Sequence, residues 1–487
     1  MTHNIKKILS KLLPLKEGEF LKFFTLLAMY IFITFNHDML HGLKDIMILQ
    51  NTGKAEILPF LKIYLVGPSM IFIIYCYMKL GRKVNIYKRL NIVLIYFLLV
   101  VIFFYYLAIP NLELLKLDKI SNFLTTKIPP LKHLWELIRF WPLSLLYIHG
   151  EAWSSIVLSV SFWGLANEII TFEQAGRLYS FLPSIGSSFG GIFAGLTLKS
   201  SFIHKNFNNG LSVVCFIIVF IMIIYNLSIK NIKPSVVIEP NQLRKNSKPK
   251  MSFFRSIKVL AKSKNLQLIV IIVLSYNIFM NLFESIWKSQ VSLYSKSLGP
   301  KYLAVIFGNQ SLCIGIMVFI IGVLSPIVKK KGWKSVALVT PTISLVATIL
   351  FSTFFVFGSF IIKKFYPEIS FNSILGISVT LGLISIVMMK ASKYVLFEST
   401  KEQAYIPLSQ EEKKDGKAAI DGFCSRFGKS IGGFILSAPF IGLIQIFGTI
   451  YNAKFIIFSI LIIIITLWIT SIHKLNKVME GKININN

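Results

Sequence analysis

The chain has 487 residues, 54% of them hydrophobic, and 42 are phenylalanine. Apolar runs of about 20 residues, the length of a helix that crosses the hydrocarbon core of a bilayer, recur along the sequence. This recurrence excludes a soluble protein with a single anchor, and runs so continuous do not alternate as the strands of a membrane β-barrel do. The net charge of +31 is spread over the polar connections, where contact with anionic lipid accounts for it. We therefore expect the lipid bilayer, and no nucleic acid, as a partner.

The apolar runs predict an all-α integral membrane protein with twelve transmembrane helices. In the first half of the chain they cover residues 20–40, 57–79, 89–109, 141–166, 179–198 and 210–229. In the second half they cover residues 266–288, 303–328, 336–362, 373–397, 431–449 and 453–473.

Basic residues are concentrated in alternate connections. They crowd residues 79–89 after the second span and 329–334 after the eighth, and they also precede the first span and follow the last. Because short cytoplasmic connections carry an excess of lysine and arginine, this pattern predicts that both termini face the cytoplasm.

A polar stretch rich in proline, asparagine and lysine separates spans six and seven. We interpret residues 230–264 as a cytoplasmic linker between a first six-helix bundle, residues 1–229, and a second, residues 265–487. The basic connections after spans two and eight occupy equivalent places, six spans apart. This repeat predicts a major-facilitator-like fold with its substrate site near the membrane midplane, between the bundles. No partner chain is needed to form that path, so we expect a functional monomer.

Four ionisable residues lie in or beside the apolar runs. Glu151 and Glu284 occupy matching places in the two halves, and Lys62 and Lys429 lie within or at the edge of spans. Such a group at the bilayer centre costs roughly 2.5–3.5 kcal/mol or more, so it usually lines a polar path. The structural alternatives are a lysine that reaches the interface, a cytoplasmic cap at Lys429, and a glutamate hydrogen-bonded to a neighbouring helix.

Further polar residues accompany these four. Asn277, Asn281, Glu284 and Lys288 are spaced 4-3-4, which places them on one helix face. Arg426 lies three residues before Lys429, and two cations together suit an anion. In span five the glycines from Gly186 to Gly195 recur at a spacing that favours close helix packing, with a partial counterpart at residues 428–433.

No enzyme motif is present, and the seven histidines lack the spacing of metal ligands. We therefore expect a charged-substrate transporter with no catalytic residues, cofactor or metal. Two other readings stay open: a proton-coupled importer, with Glu151 or Glu284 carrying the proton, and a scaffold or receptor without transport.

Several long segments resemble one family. They read FNHDMLHGLKD, AEILPFLK, FWGLANEI, NLFESIWKSQV, KYVLFESTKEQAYIPL and GKAAIDGFCSRFGKSIGG. Together these segments resemble the ATP/ADP (nucleotide) translocases of obligate intracellular bacteria and plastids, over essentially the whole chain.

The resemblance implies a twelve-span antiporter of the bacterial inner membrane that exchanges external ATP for internal ADP plus phosphate. Some members of the family carry other nucleotides instead, such as GTP, CTP, UTP or NAD. The charged residues that the family needs correspond to Lys62, Glu151, Glu284 and Lys429, the same four that the sequence pattern identifies.

The first-span motif departs from the family. The family motif resembles N-Y-x-x-L-R-x-x-K-D, and Asn36, Lys44 and Asp45 fit it, but His37 and His41 replace the tyrosine and the arginine. A histidine lacks the permanent charge and the bidentate geometry of an arginine, so His41 is a place where phosphate affinity or substrate choice could differ. Asn36, His41 and Lys44 join the candidate binding residues on this resemblance. The family's aspartate after KYxLF is Glu398 here.

Overall fold

The computed structural model describes residues 19–171, 174, 178–179, 181–232, 260, 263–299, 301–356, 358, 364, 368, 370–405, 408, 420, 424–438 and 441–486. Within these ranges the regular structure is entirely helical, as the apolar runs predict. Most of the predicted linker, residues 230–264, lies outside the described residues, so its boundaries stay a prediction.

Eleven helices in the described ranges are long and apolar enough to span a membrane. We number the helices α1 to α12 after the predicted spans that they match. The eleven are α1 Phe20–Thr52, α2 Ile57–Gly81, α3 Ile86–Ala108, α4 Trp141–Ile169, α5 Phe181–Leu198, α6 Asn209–Ile229, α7 Lys264–Leu298, α8 Lys301–Val328, α9 Trp333–Phe355, α10 Phe371–Ala404 and α12 Lys454–Val478. Helix α11, Ser425–Ser437, has only 13 residues.

The predicted eleventh span, residues 431–449, is wrong as a single helix. Helix α11 ends at Ser437, Ala438 is extended with ψ 137°, and a separate five-residue helix follows at Leu443–Phe447. The sequence gives the reason, because Ala438 precedes Pro439, and the proline ring disfavours helical geometry in the residue before it. Hydropathy alone does not register this break.

The connection between α3 and α4 adds short helices that the hydropathy pattern does not predict. They are Leu112–Leu115, Asp118–Lys127 and Lys132–Arg139. In this connection Lys116 Nζ lies 2.5 Å from Glu113 Oε1, in an ion pair whose carboxylate is exposed. The connection thus contains a lysine–glutamate pair away from the membrane helices.

Glycines let α5 and α8 pack backbone to backbone. A Cβ added to Gly195 would lie 2.5 Å from both the Gly308 carbonyl oxygen and the Leu312 amide nitrogen, and one added to Gly315 would lie 2.5 Å from the Ser188 carbonyl oxygen. The predicted small-residue packing face is therefore confirmed. Since α5 belongs to the first half of the chain and α8 to the second, this seam joins the two halves.

The seam can be tested with one methyl group at two places. Gly195→Ala forces backbone atoms apart, and overpacking of this kind costs about 1–3 kcal/mol. Gly322→Ala is the matched control, because its nearest neighbour is Ser184 Cβ at 3.9 Å. We expect the purified Gly195→Ala protein to unfold at a lower temperature than both wild type and Gly322→Ala. Equal melting temperatures for the two variants would contradict a tight seam at Gly195.

Candidate functional site

Three ion pairs connect α1, α4, α7 and α10 in the interior of the protein. Each joins a lysine to a carboxylate on another helix, at a distance of 2.5–2.7 Å. The pairs are Lys44 Nζ–Glu151 Oε1 at 2.6 Å, Lys288 Nζ–Asp45 Oδ2 at 2.7 Å and Lys390 Nζ–Glu284 Oε1 at 2.5 Å. We call these six residues the central cluster.

The Lys288–Asp45 pair is the member of the cluster that joins the two halves of the chain. Both side chains are almost fully buried, with 1% and 0% of their area exposed. Lys44 Nζ lies 3.9 Å from the other Asp45 oxygen, and His41 Nδ1 lies 3.6 Å from Oδ2. Asp45 therefore sits among three nitrogen-bearing side chains.

The same region joins one end of the first half to one end of the second, and we call it the closed end. Beyond the ion pair, Ser292 of α7 donates a hydrogen bond to the Gly53 carbonyl oxygen, at 3.3 Å, where α1 ends. The C-terminal ends of α1 and α7 are thus held together by a buried ion pair and a hydrogen bond.

Local packing positions Lys44 against Glu151. The ammonium lies 3.5 Å from the centroid of the Tyr147 ring, in a cation–π contact. The lysine stem passes over Gly150, where an added Cβ would be 2.8 Å from Lys44 Cδ. The glycine that precedes Glu151 therefore leaves the room that lets Lys44 reach the carboxylate.

Lys62 and Lys429 differ from the paired lysines. Within the part of the chain that the structure describes, neither has a carboxylate oxygen within ion-pair distance. Each interacts electrostatically with both Glu151 and Glu284, which already bind other lysines. Lys62 is half-buried and Lys429 is exposed. These two ammonium groups are therefore available to a ligand.

The charge balance of the region favours an anion. The central cluster, taken together with Lys62, Lys429 and Asp38, which interacts with Lys390, contains five lysines and four carboxylates. The lysines are Lys44, Lys62, Lys288, Lys390 and Lys429, and the carboxylates are Asp38, Asp45, Glu151 and Glu284. The empty region thus carries a net positive charge, which an anionic substrate would compensate.

Segments of π-helix accompany the charged residues. Lys62 lies in the π-helical segment Leu61–Val66, another begins at Trp153 just after Glu151, and a third, Lys393–Phe397, follows Lys390. Such segments interrupt regular backbone hydrogen bonding and occur frequently at functional sites. Three helices of the candidate site thus share the same local irregularity.

The four main candidates lie in one electrostatic region, but not all secondary candidates join it. Asn277 and Asn281 pack against Gly428 and Gly432 of α11, where an added Cβ would lie 2.8 and 2.9 Å from the asparagine Cβ atoms. Their place in the polar stripe therefore reflects close helix packing as well as polarity.

Two other secondary candidates have different outcomes. Asn36 is fully buried and donates a hydrogen bond to the Val214 carbonyl oxygen of α6, at 3.4 Å. This contact lies within the first half of the chain. The Arg426 side chain lies outside the described residues, so its predicted role stays a prediction.

The structure adds residues that the candidate set omits. Asp45 belongs to the first-span motif but lies beyond the predicted end of the span at residue 40, whereas α1 continues to Thr52. Lys390 lies inside the predicted span 373–397 and pairs with Glu284. A lysine inside an apolar run is the signal that identifies Lys62, and the same signal could have identified Lys390.

The chain is similar to known carrier proteins over almost its whole length. The chain is 32% identical to ADP,ATP carrier protein 2 of Chlamydia pneumoniae, over 96% of this chain and 90% of that protein. It is 31% identical to ADP,ATP carrier protein 3 of Rickettsia bellii strain RML369-C, over 97% of each.

A solved structure supports the major-facilitator-like fold. A bacterial homologue of the iron transporter ferroportin, in an inward-facing state, matches with a TM-score of 0.55 at 13% identity, covering 94% of this chain and 99% of that chain. The family model described as the TLC ATP/ADP transporter matches residues 1–479. This multi-pass membrane protein therefore belongs to the TLC ATP/ADP transporter family.

Proposed function

We propose that this protein exchanges external ATP for internal ADP, with phosphate as an accompanying substrate, across the bacterial inner membrane. The observation that carries this proposal is that Lys62 and Lys429, which have no ion-pair partner among the described residues, lie beside a cluster whose three lysines and three carboxylates already balance each other. Relatives at about 31% identity are named ADP,ATP carrier proteins. Transport requires no catalytic residue or cofactor, and a monomer contains the whole path.

Lys62 and Lys429 bind the phosphate chain as two mobile point charges. Glu151 and Glu284 fix Lys44 and Lys390 through their ion pairs, and both also attract the two unpaired lysines. The carboxylates therefore hold these lysines near the centre when no nucleotide is bound. When the nucleotide arrives, its phosphates replace this weaker attraction with direct charge-assisted hydrogen bonds.

The same charges explain why exchange is obligatory. When the empty carrier reorients, it passes through a state that is closed on both sides. In that state a net positive, incompletely compensated region is shut off from water. An uncompensated buried charge costs several kcal/mol, so the empty carrier reorients slowly. A bound nucleotide compensates the lysines, so the loaded carrier can open its site to either side of the membrane.

The Asp45–Lys288 pair then acts as the latch of one closed state. With both termini in the cytoplasm, as the basic connections suggest, the C-terminal ends of α1 and α7 face the outside. The pair at 2.7 Å therefore closes the external side. Alternating access separates this pair while the halves rock about the glycine seam between α5 and α8.

The binding role of the unpaired lysines can be tested by Lys62→Gln and Lys429→Gln. A charge-assisted hydrogen bond contributes about 1.5–3 kcal/mol, so each change should weaken ATP exchange by about ten- to a hundredfold. The measurement is uptake of labelled ATP by bacterial cells expressing the chain, followed by a chase with unlabelled ATP, ADP, GTP, CTP, UTP and NAD. Lys116→Gln, at an ion pair outside the membrane helices, is the control and should exchange normally.

Two results would count against this assignment. Near-normal exchange by Lys62→Gln, with folded protein in the membrane, would remove Lys62 from the site. Failure to take up labelled ATP, together with uptake and exchange of another labelled nucleotide, would keep the lysine site and reject ATP and ADP as the substrates.

The latch can be tested by a double-mutant cycle. Lys288→Gln leaves Asp45 without its closest partner, and breaking a buried pair costs about 3–5 kcal/mol, part of which Lys44 at 3.9 Å offsets. Asp45→Asn should also destabilise the protein. The double variant Asp45→Asn/Lys288→Gln should be more stable than Lys288→Gln alone, measured by thermal unfolding of purified protein. Purely additive losses would show that the two residues do not act as a pair.

A further inference from the structure

A second group of charges lies between α7 and α10, apart from the central cluster. It lines a cavity of about 180 Å³ with Val273, Tyr276, Asn277, Lys393, Phe397, Glu398 and Lys401. Tyr276 is 12 residues before Lys288 on α7, which at a rise of 1.5 Å per residue is about 18 Å along the helix axis. The cavity therefore lies far from the closed end, on the other side of the central cluster.

The cavity contains two lysines that share one carboxylate. Glu398 Oε1 lies 3.1 Å from Lys393 Nζ, and Glu398 Oε2 lies 2.7 Å from Lys401 Nζ. Lys401 also lies 3.9 Å from Glu402, whose side chain is 46% exposed and does not line the cavity. The walls of the cavity thus have more ammonium than carboxylate groups.

The backbone of α10 is arranged to make this group. Residues 393 and 398 are five apart, a spacing that would place them on different faces of a regular α-helix. The π-helical segment Lys393–Phe397 widens the turn and brings them together. The irregular turn therefore creates the Lys393–Glu398 contact.

Aromatic side chains form one wall of the cavity, next to the charged residues. Tyr276 stacks on Phe397 with ring centroids 5.1 Å apart, and both rings meet the edge or face of Trp468 at 5.8 Å. Lys393 Nζ is 4.8 Å from the Tyr394 ring centroid and 5.9 Å from that of Tyr276. These rings restrict where the ammonium can move.

The cavity is electrostatically continuous with the central site. Lys393 and Lys390 both interact with the unpaired Lys429, and Lys390 is three residues before Lys393 on α10. A negatively charged group bound at Lys429 therefore also interacts with Lys393. Two ammonium groups that share one carboxylate can exchange that carboxylate for the oxygens of a phosphoryl group.

We propose that Lys393 and Lys401 form a second phosphoryl-binding site, in which Glu398 competes with the ligand for the two ammonium groups. The ligand is the terminal phosphate of a nucleotide or free inorganic phosphate, and the site holds it between the open side and the central cluster. This inference rests on the proposed nucleotide exchange and adds a binding step to it. Glu398 weakens the site enough for the phosphoryl group to move on.

The experiment compares two substitutions that break the same ion pair but should act in opposite directions. Lys393→Gln removes a ligand-binding group and should raise the KM for ATP about tenfold, with kcat nearly unchanged. A tenfold change corresponds to about 1.4 kcal/mol, close to the contribution of one charge-assisted hydrogen bond. Glu398→Gln removes the carboxylate that both lysines bind and should lower the KM about threefold, with slower turnover because release is slower. The assay is ATP exchange by the full chain in liposomes.

Matched controls come from the Lys116–Glu113 ion pair, in the connection between α3 and α4. Lys116→Gln and Glu113→Gln break a lysine–glutamate pair of similar length and should leave the KM for ATP unchanged. A merely structural role for the Lys393–Glu398 pair would raise the KM, or lower kcat, in the same direction for both variants. That result, or an unchanged KM in Lys393→Gln, would overturn the proposal.

Inorganic phosphate distinguishes the two sources of the phosphoryl group. Competition of phosphate with ATP in the wild type, lost in Lys393→Gln, assigns free phosphate to the site. Opposite KM shifts without phosphate competition assign the site to the phosphate chain of the nucleotide.

The proposed function can fail separately. If the wild type exchanges no ATP, nucleotide exchange is rejected, and binding of radiolabelled inorganic phosphate to purified Lys393→Gln and Glu398→Gln then tests the second site alone. Weaker binding in the first and tighter binding in the second would support the site, and any other pattern would overturn it.

Discussion

Compensation of charge among membrane helices is the constraint on which this structure depends. An ion removed from water loses several kcal/mol of solvation, which is recovered only by close partners of opposite charge. Here the partners that compensate the lost solvation are the pairs Lys44–Glu151, Lys288–Asp45 and Lys390–Glu284. These pairs connect α1, α4, α7 and α10 in the interior of the protein. In the proposed mechanism, the substrate compensates the charges of Lys62 and Lys429, which have no ion-pair partner among the described residues.

Two contacts between the halves, the glycine seam and the Asp45–Lys288 pair, have different roles in the proposed mechanism. The glycine seam between α5 and α8 is made of backbone and short side chains, so it can serve as a pivot without changing its charge. In the proposed mechanism the Asp45–Lys288 contact is a charged latch, which separates when water or substrate reaches both groups. A carrier built in this way couples opening of one end to the arrival of something that can compensate the exposed charges.

The sequence predicts the membrane helices well, because each needs only length and apolar content. It predicts the break after Ser437 poorly, since one proline in an apolar run does not change the average hydropathy. The unpaired Lys62 and Lys429 are identifiable because isolated charge in an apolar run is costly wherever it lies.

The partners of those charges are not identifiable in this way. Glu151 pairs with Lys44 rather than with Lys62 because Gly150 and Tyr147 guide the lysine stem, and such a contact depends on how α1 and α4 pack. For Glu151, the alternative of a carboxylate bound to a neighbouring helix is thus correct in its geometry, and the ion pair is also part of the candidate site. Asp45 escapes a hydropathy reading because α1 continues, through a polar stretch, well past the apolar run.

The decisive measurement for obligatory exchange is efflux of labelled ATP from liposomes that contain the purified protein and are preloaded with ATP. If the positive charge of the empty site prevents its reorientation, efflux will be negligible in buffer and rapid once ADP or ATP is added outside. Equally rapid efflux in the absence of an external nucleotide would show that the empty carrier reorients freely, and it would contradict the proposed role of the uncompensated lysines.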